Sequence, residues 1–229
     1  MAKNLNPVLW KDGKLKPEIR KKLLEIANFF IEYADMPKKY ISAIYLVGSN
    51  AGFNYTDDSD IDIHIVYRPP KNRDHASCLI SLLDAKRKLF NSKYDIRIKG
   101  HDVEVYPQLY DEQLISDGIY DLVHDKWIRK PSFRKPDIDD VAVMAKYEKL
   151  VHQIGKILQN GSRTYDELKK FLSKLKRMRK AALARNGEYS VENLAFKKLR
   201  SEGFLNMLHS HLRYLKSKEL SMEGLHENY

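Results

Sequence analysis

Cysteine is almost missing from this 229-residue chain: Cys78 is the only one. That excludes an intramolecular disulfide framework and fits a reducing compartment. The cytoplasm is therefore the expected location. Cys78 lies in a stretch with helical apolar spacing, so it is expected in the core rather than as a nucleophile. No run approaches the ~18 consecutive apolar residues that a membrane helix needs, so no membrane partner is expected. The N-terminal residues carry no apolar segment of the secretory type. Glycine (10) and proline (8) are too few for a fibrous or low-complexity chain, and no internal repeat is visible. A hydrophobic content of 43% is enough for a proper core and argues against disorder.

What is abundant is positive charge. The net charge is +10, and it is unevenly placed. Residues 1–130 hold 21 Lys+Arg against 19 Asp+Glu, whereas residues 131–229 hold 20 against 12. An excess confined to the C-terminal part suggests a polyanionic partner.

The chain is organised around residues 41–67. Ile41 to Val47 is an apolar, β-branched and aromatic run that reads as a buried strand. Gly48-Ser49 stops it, and glycine permits both a tight turn and close approach of a ligand to the backbone. After a polar segment, Asp60 to Tyr67 alternates. Ile61, Ile63 and Ile65 take one face, and Asp60, Asp62 and His64 take the other. Two carboxylates on adjacent same-face positions repel, and a divalent cation offsets that repulsion. Carboxylates with water suit Mg²⁺, which is bound together with substrate phosphates. Backbone N–H groups and the hydroxyl of a Gly-Ser turn suit those phosphates. Metal-binding carboxylates beside such a turn suggest phosphoryl or nucleotidyl transfer.

The joint pattern, Gly48-Ser49, ten intervening residues and Asp60-Ile61-Asp62, resembles the signature of the DNA polymerase β-like nucleotidyltransferase superfamily. The form GSNAGFNYTDDSDIDIHIVY resembles that of small nucleotidyltransferases found in phages. The resemblance implies an α+β fold: a mixed sheet flanked by helices, here followed by an all-α helical domain. It implies a third carboxylate on a neighbouring strand. Glu104, between Val103 and Val105, is the better match, and Asp102 on the same face is the alternative. A salt bridge from Glu104 to Arg97 is the competing structural role. The resemblance also implies two Mg²⁺ (or Mn²⁺) ions, roughly 4 Å apart, held by Asp60, Asp62 and Glu104. One would activate an acceptor hydroxyl and the other would bridge the triphosphate of an NTP. Gly48 and Ser49 would bind the β- and γ-phosphates, with Asn50 and Ser59 in the connecting segment as further candidates for nucleotide contact. His64 is either a metal or orienting group, or a hydrogen-bonded core residue.

In chain order, residues 1–16 read as an irregular arm anchored by Trp10. Pro17 opens a helix over 17–35. A second helix is expected over 74–91, inward through Ala76, Leu79, Ile80, Leu83 and Phe90. A hairpin follows over 94–98 and 103–106, and one strand within 120–128. The basic, proline-bearing segment 130–136 marks a domain boundary, dividing a catalytic domain, 1–130, from a basic helical domain, 131–229. Helices are expected over 138–159, stopped by Asn160-Gly161, over 164–185, over 190–201 and over 203–218, with the last ten residues frayed. Thr164 and Glu167 have the spacing of a capping box. The helix over 164–185 crowds Lys176, Arg177, Arg179 and Lys180 with further lysines. These four lack acidic partners at i±4, so phosphate-backbone contact is expected, and RNA, at a tRNA-like 3′ end, is the expected acceptor; the alternatives are transfer to a protein side chain or small molecule, or a catalytically degenerate nucleotide- or nucleic-acid-binding protein. No feature points to a particular oligomeric state.

Overall fold

A computed structural model describes residues 4–57, 59–114, 116–133, 138–159 and 164–221. The chain divides into two compact units, residues 1–134 and 135–229. The expected link over 130–136, the Asn160-Gly161 stop and the frayed end fall partly or wholly outside the described residues.

The first unit begins with a small antiparallel hairpin, β1 (Trp10–Lys11) and β2 (Lys14–Leu15), and α1 (Pro17–Tyr33), whose Pro17 sits in the first turn as expected. The central pair is β3 (Ile41–Val47) and β4 (Ile61–Tyr67). After α2 (Arg73–Lys93) come β5 (Arg97–Ile98), β6 (His101–Leu109), β7 (Ile119–Asp121) and β8 (Lys126–Arg129). The strands form a six-stranded sheet of order β5-β6-β4-β3-β7-β8. Only the β4–β6 pair is parallel, because α2 provides the crossover that a parallel pair requires. The sheet is mixed and the fold is α+β.

Alternation along β4 orients the sheet. Ile61, Ile63 and Ile65 are fully buried in one cluster with Leu23, Phe30, Leu83 and Phe90 of α1 and α2. Asp62 and His64 therefore take the opposite face. The outer edge of β6 is covered by α2: the Asn91 side chain accepts from Val105 N–H and donates to Val105 C=O, at 3.2 and 3.1 Å. That blunts an exposed strand edge.

Three expectations need correction. The arm is not irregular: Trp10 is buried, stacked on Trp127 at 4.6 Å and edge-on to Tyr120 at 5.1 Å. Cys78 is exposed, since α2 buries only Leu83 and Phe90 and lies along the sheet by a narrow stripe. The stretch 120–128 is a hairpin rather than one strand. Buried Asp121 accepts from the N–H groups of Val123 and His124, which turns the chain after β7.

The second unit is helical: α3 (Asp140–Gln159), α4 (Tyr165–Asn186), α5 (Val191–Ser201) and α6 (Phe204–Leu220). Their apolar stripes meet through Leu150, Ile154, Leu168, Leu172, Leu199 and Leu208. The Thr164–Glu167 capping box is formed in both directions. Among the described residues no helix is long and apolar enough to cross a membrane.

Candidate active site

The site grows from the turn between β3 and β4. Gly48 has φ +77° and ψ −164°, a backbone region open in practice only to glycine. It leads into one short 3₁₀ turn, Ser49–Ala51. Gly48 is required a second way: a Cβ there would stand 1.9 Å from Asp62 Oδ2. The Asp62 carboxylate is thus lodged directly on the Gly48 Cα. It belongs to the residue paired with Val47 on one side and with Glu104 on the other. Register partners on adjacent strands share a face, with strands about 4.8 Å apart, so Asp62 and Glu104 project side by side at the mouth of the Gly-Ser turn. Asp60 precedes β4 by one residue and is half-buried.

Glu104 and Asp102 are separated by their surroundings. Arg97 pairs with Asp102 across the β5–β6 hairpin, with Nε 2.8 Å from the carboxylate, and Asp95 holds the same guanidinium at 3.2 Å. The salt bridge considered for Glu104 is made by Asp102, so Asp102 belongs to the hairpin and Glu104 faces Asp62.

The remaining candidates divide by location. The Gly48 N–H, expected to serve a phosphate, donates to Ser116 Oγ at 3.1 Å, and that hydroxyl donates on to Gly118 C=O at 2.7 Å. Ser116 was not foreseen, because nothing in the local pattern of the β6–β7 loop marks it. Ser49 is half-buried. Asn50 does not face a ligand. It is fully buried; its Oδ1 accepts from Asn6, and its Nδ2 donates to the carbonyls of Ser59 and Asp60 at 3.0 and 2.9 Å. The Ser59 hydroxyl closes a local turn by accepting from Thr56 N–H at 2.8 Å. Asn50 thus commits its side chain to the connecting segment, and Ser59 commits one acceptor position of its half-buried hydroxyl there.

His64 is a hydrogen-bonded member of the sheet face: Nδ1 lies 2.6 Å from Gln108 Oε1, and the ring leans on Tyr106. Burial holds its pKa below the ordinary imidazole value, with the Gln108 bond acting in the opposite sense. The unfolded chain therefore binds the His64 proton more tightly than the native state does. Stability contributed by the buried neutral ring is present above about pH 6.5 and declines as pH falls from there toward the lowered native pKa. Replacing His64 by Gln should flatten that part of a stability–pH profile from chemical denaturation; an unaltered profile would place the effect elsewhere.

In the second unit, Lys176, Arg177 and Lys180 are exposed on α4. Arg179 differs. Its Nε donates to Asn193 Oδ1 at 3.1 Å, and its guanidinium lies over the Phe196 ring at 4.9 Å. It ties α4 to α5.

Among the described residues no group of three His, Cys, Asp or Glu stands close enough to hold a metal ion. The carboxylate pair nevertheless fits a hard cation of the Mg²⁺ type. That ion is bound through one or two carboxylates plus substrate phosphates, not by an all-protein cage.

No curated protein matches this chain. Two solved structures are similar in part. One is a chain of the Escherichia coli MS115-1 CdnC:HORMA-deltaN complex, at 14% identity and TM-score 0.23, covering 83% of this chain and 61% of that one. The other is the STING-associated CdnE c-di-GMP synthase from Capnocytophaga granulosa, at 15% identity and TM-score 0.23, covering 90% and 83%. This chain thus spans less than two thirds of the first. Residues 21–128, from α1 to β8, match the family model of the nucleotidyltransferase domain. The match takes in the mixed sheet, the glycine turn and the carboxylate strand, so just under half of the chain is similar to the nucleotidyltransferase domain family.

Proposed function

We propose that this protein transfers a nucleoside monophosphate from an NTP to an acceptor hydroxyl, releasing pyrophosphate, with RNA as the acceptor. The observation that carries the reading is the Asp62 carboxylate seated on Gly48 and facing Glu104 across a strand pair.

Asp62 and Glu104, joined by Asp60 once the triphosphate and its cations are bound, would hold Mg²⁺ or Mn²⁺, two ions in all. When bound, these supply charge stabilisation at the α-phosphate and lower the pKa of the acceptor hydroxyl. Asp62, fixed by its contact with Gly48, sets where the α-phosphate comes to rest. Glu104, more exposed and on the neighbouring strand β6, faces the acceptor side and takes up the acceptor proton. The Ser49 hydroxyl and the turn backbone grip the β- and γ-phosphates once the Ser116 hydroxyl yields the Gly48 N–H or shares it. Fixed donors and charges of this kind need no reorganisation during the reaction, which is the source of their effect.

RNA as acceptor is supported by the exposed cations of α4. Binding of RNA is expected to weaken steeply with salt. Reversing Lys176, Arg177 and Lys180 together should reduce the slope of log K against log salt by about 1 for each phosphate those side chains neutralise. Arg179→Glu should instead lower the stability of the helical unit, because it breaks the Asn193 bond. A salt-insensitive interaction would count against binding through phosphates. The deciding experiment follows each labelled NTP, with Mg²⁺ or Mn²⁺ and pooled RNA or cell lysate, into RNA, protein or small molecules. Label in protein or in small molecules alone would overturn the RNA assignment, and no transfer at all would overturn the activity.

A further inference from the structure

The family match starts at residue 21, yet side chains before it reach the catalytic turn. Asn6 is buried at 2% exposure. Its Nδ2 donates to Asn50 Oδ1 at 2.8 Å and lies 3.1 Å from His101 Nε2. Its Oδ1 accepts from Val8 N–H at 3.0 Å, which fixes the amide orientation. His101 is buried too, and its Nδ1 lies 2.8 Å from the Ser59 carbonyl. A carbonyl can only accept, so Nδ1 carries the proton, and Nε2 is left as the acceptor for Asn6. Four residues thus close a saturated network whose roles are all determined.

The indole of Trp10 adds a second tether: Nε1 donates to the Asn50 carbonyl at 2.8 Å. Trp10 is itself immobilised by its stack on Trp127, and Trp127 Nε1 donates back to Gly13 C=O at 2.8 Å. Asn50 is therefore bonded at its Oδ1, its Nδ2 and its main-chain oxygen, and two of those three tethers come from the arm. Through Nδ2 the restraint passes to the carbonyls of Ser59 and Asp60, the last residues before the carboxylate strand.

We propose that Asn6 and Trp10 are positioning residues of the carboxylate site, acting through Asn50, and that the arm preceding the matched domain is a working part of the catalytic unit. This rests on the reading of Asp60 and Asp62 as metal-holding groups. The physical reason is geometric. The segment 60–62 must keep a fixed offset from Gly48 for a cation and a triphosphate to be shared between them. Local sequence does not rigidify a ten-residue connection. A buried, fully satisfied polar network does, because any rotation of the turn breaks several bonds at once in a low-dielectric interior.

The test uses the full chain and two variants, Trp10→Phe and Asn6→Ala, with Asp62→Asn as reference. Trp10→Phe keeps the aromatic stack and removes only the indole N–H, so it carries the test if Asn6→Ala fails to fold. The readouts are Mn²⁺ binding by electron paramagnetic resonance with a non-hydrolysable NTP analogue, and kcat and KM for the NTP. Folding is checked by circular dichroism. Folded variants are expected to bind Mn²⁺ about 10- to 100-fold more weakly, the effect usual for groups that orient metal ligands. The loss in turnover should fall on kcat more than on KM. Folded variants with wild-type Mn²⁺ affinity and kcat would overturn the proposal and leave the arm as packing alone. The reference separates the two levels: if Asp62→Asn also leaves Mn²⁺ binding unchanged, the carboxylate reading itself falls, and the arm proposal with it.

Discussion

Replacing Asp62 by Asn is expected to lower NTP turnover by roughly 10²–10³-fold or more, the range for removing one fixed electrostatic group from a reacting centre. The same change should leave the thermal midpoint level or raise it. The two expectations come from one feature. Asp62 and Glu104 are register partners on neighbouring strands, so two carboxylates of like charge stand side by side. Neutralising one relieves that repulsion, and the isosteric amide still fills the cradle over Gly48. A catalytic carboxylate therefore costs stability while it supplies function. A structural carboxylate behaves the other way, and a clear fall in midpoint with turnover retained would assign Asp62 to the fold. Turnover of labelled NTP and a melt on the same sample decide between them.

Gly48→Ala should cost both stability and activity. Its backbone conformation strains any other residue by about 1–3 kcal/mol. The added methyl must also displace the Asp62 carboxylate, which stands 1.9 Å from where the Cβ would be built. Gly187 is a natural control. Its φ of +73° and ψ of −163° nearly match those of Gly48, but a Cβ there meets nothing within 4 Å. Gly187→Ala should reproduce the loss of stability and retain turnover. Gly48→Ala should lose turnover to about the degree that Asp62→Asn does. If the two alanine variants melt alike and turn over alike, the contact between Gly48 and Asp62 has no catalytic part.

Much of this site was legible in the chain. A strand ending at Val47, a glycine turn and a strand with isoleucines inward place Asp62 on the open face by period-2 alternation alone. The helices of the second unit were legible for the same reason: apolar spacing and the Thr164 box are signals carried within a few residues. The misreadings share a cause as well. Cys78 and Ile80 have helical apolar spacing, but spacing does not say how wide a stripe the sheet will cover. Asn50 stands beside Gly48-Ser49 in the motif, so a ligand role looked natural. Its actual partners are 44 residues upstream and 9 and 10 residues downstream.

By itself, then, the sequence determined where a carboxylate strand follows a glycine turn and where the positive charge collects. Backbone permissiveness, side-chain alternation and helix capping are local physics. Only the tertiary structure decided that Arg97 takes Asp102 and leaves Glu104 opposite Asp62, that Arg179 is bound to Asn193, and that Ser116 and the arm brace the turn. Each of these is a choice among chemically equivalent partners. It is made by strand register and by which buried polar groups meet, and no periodicity along the chain records it.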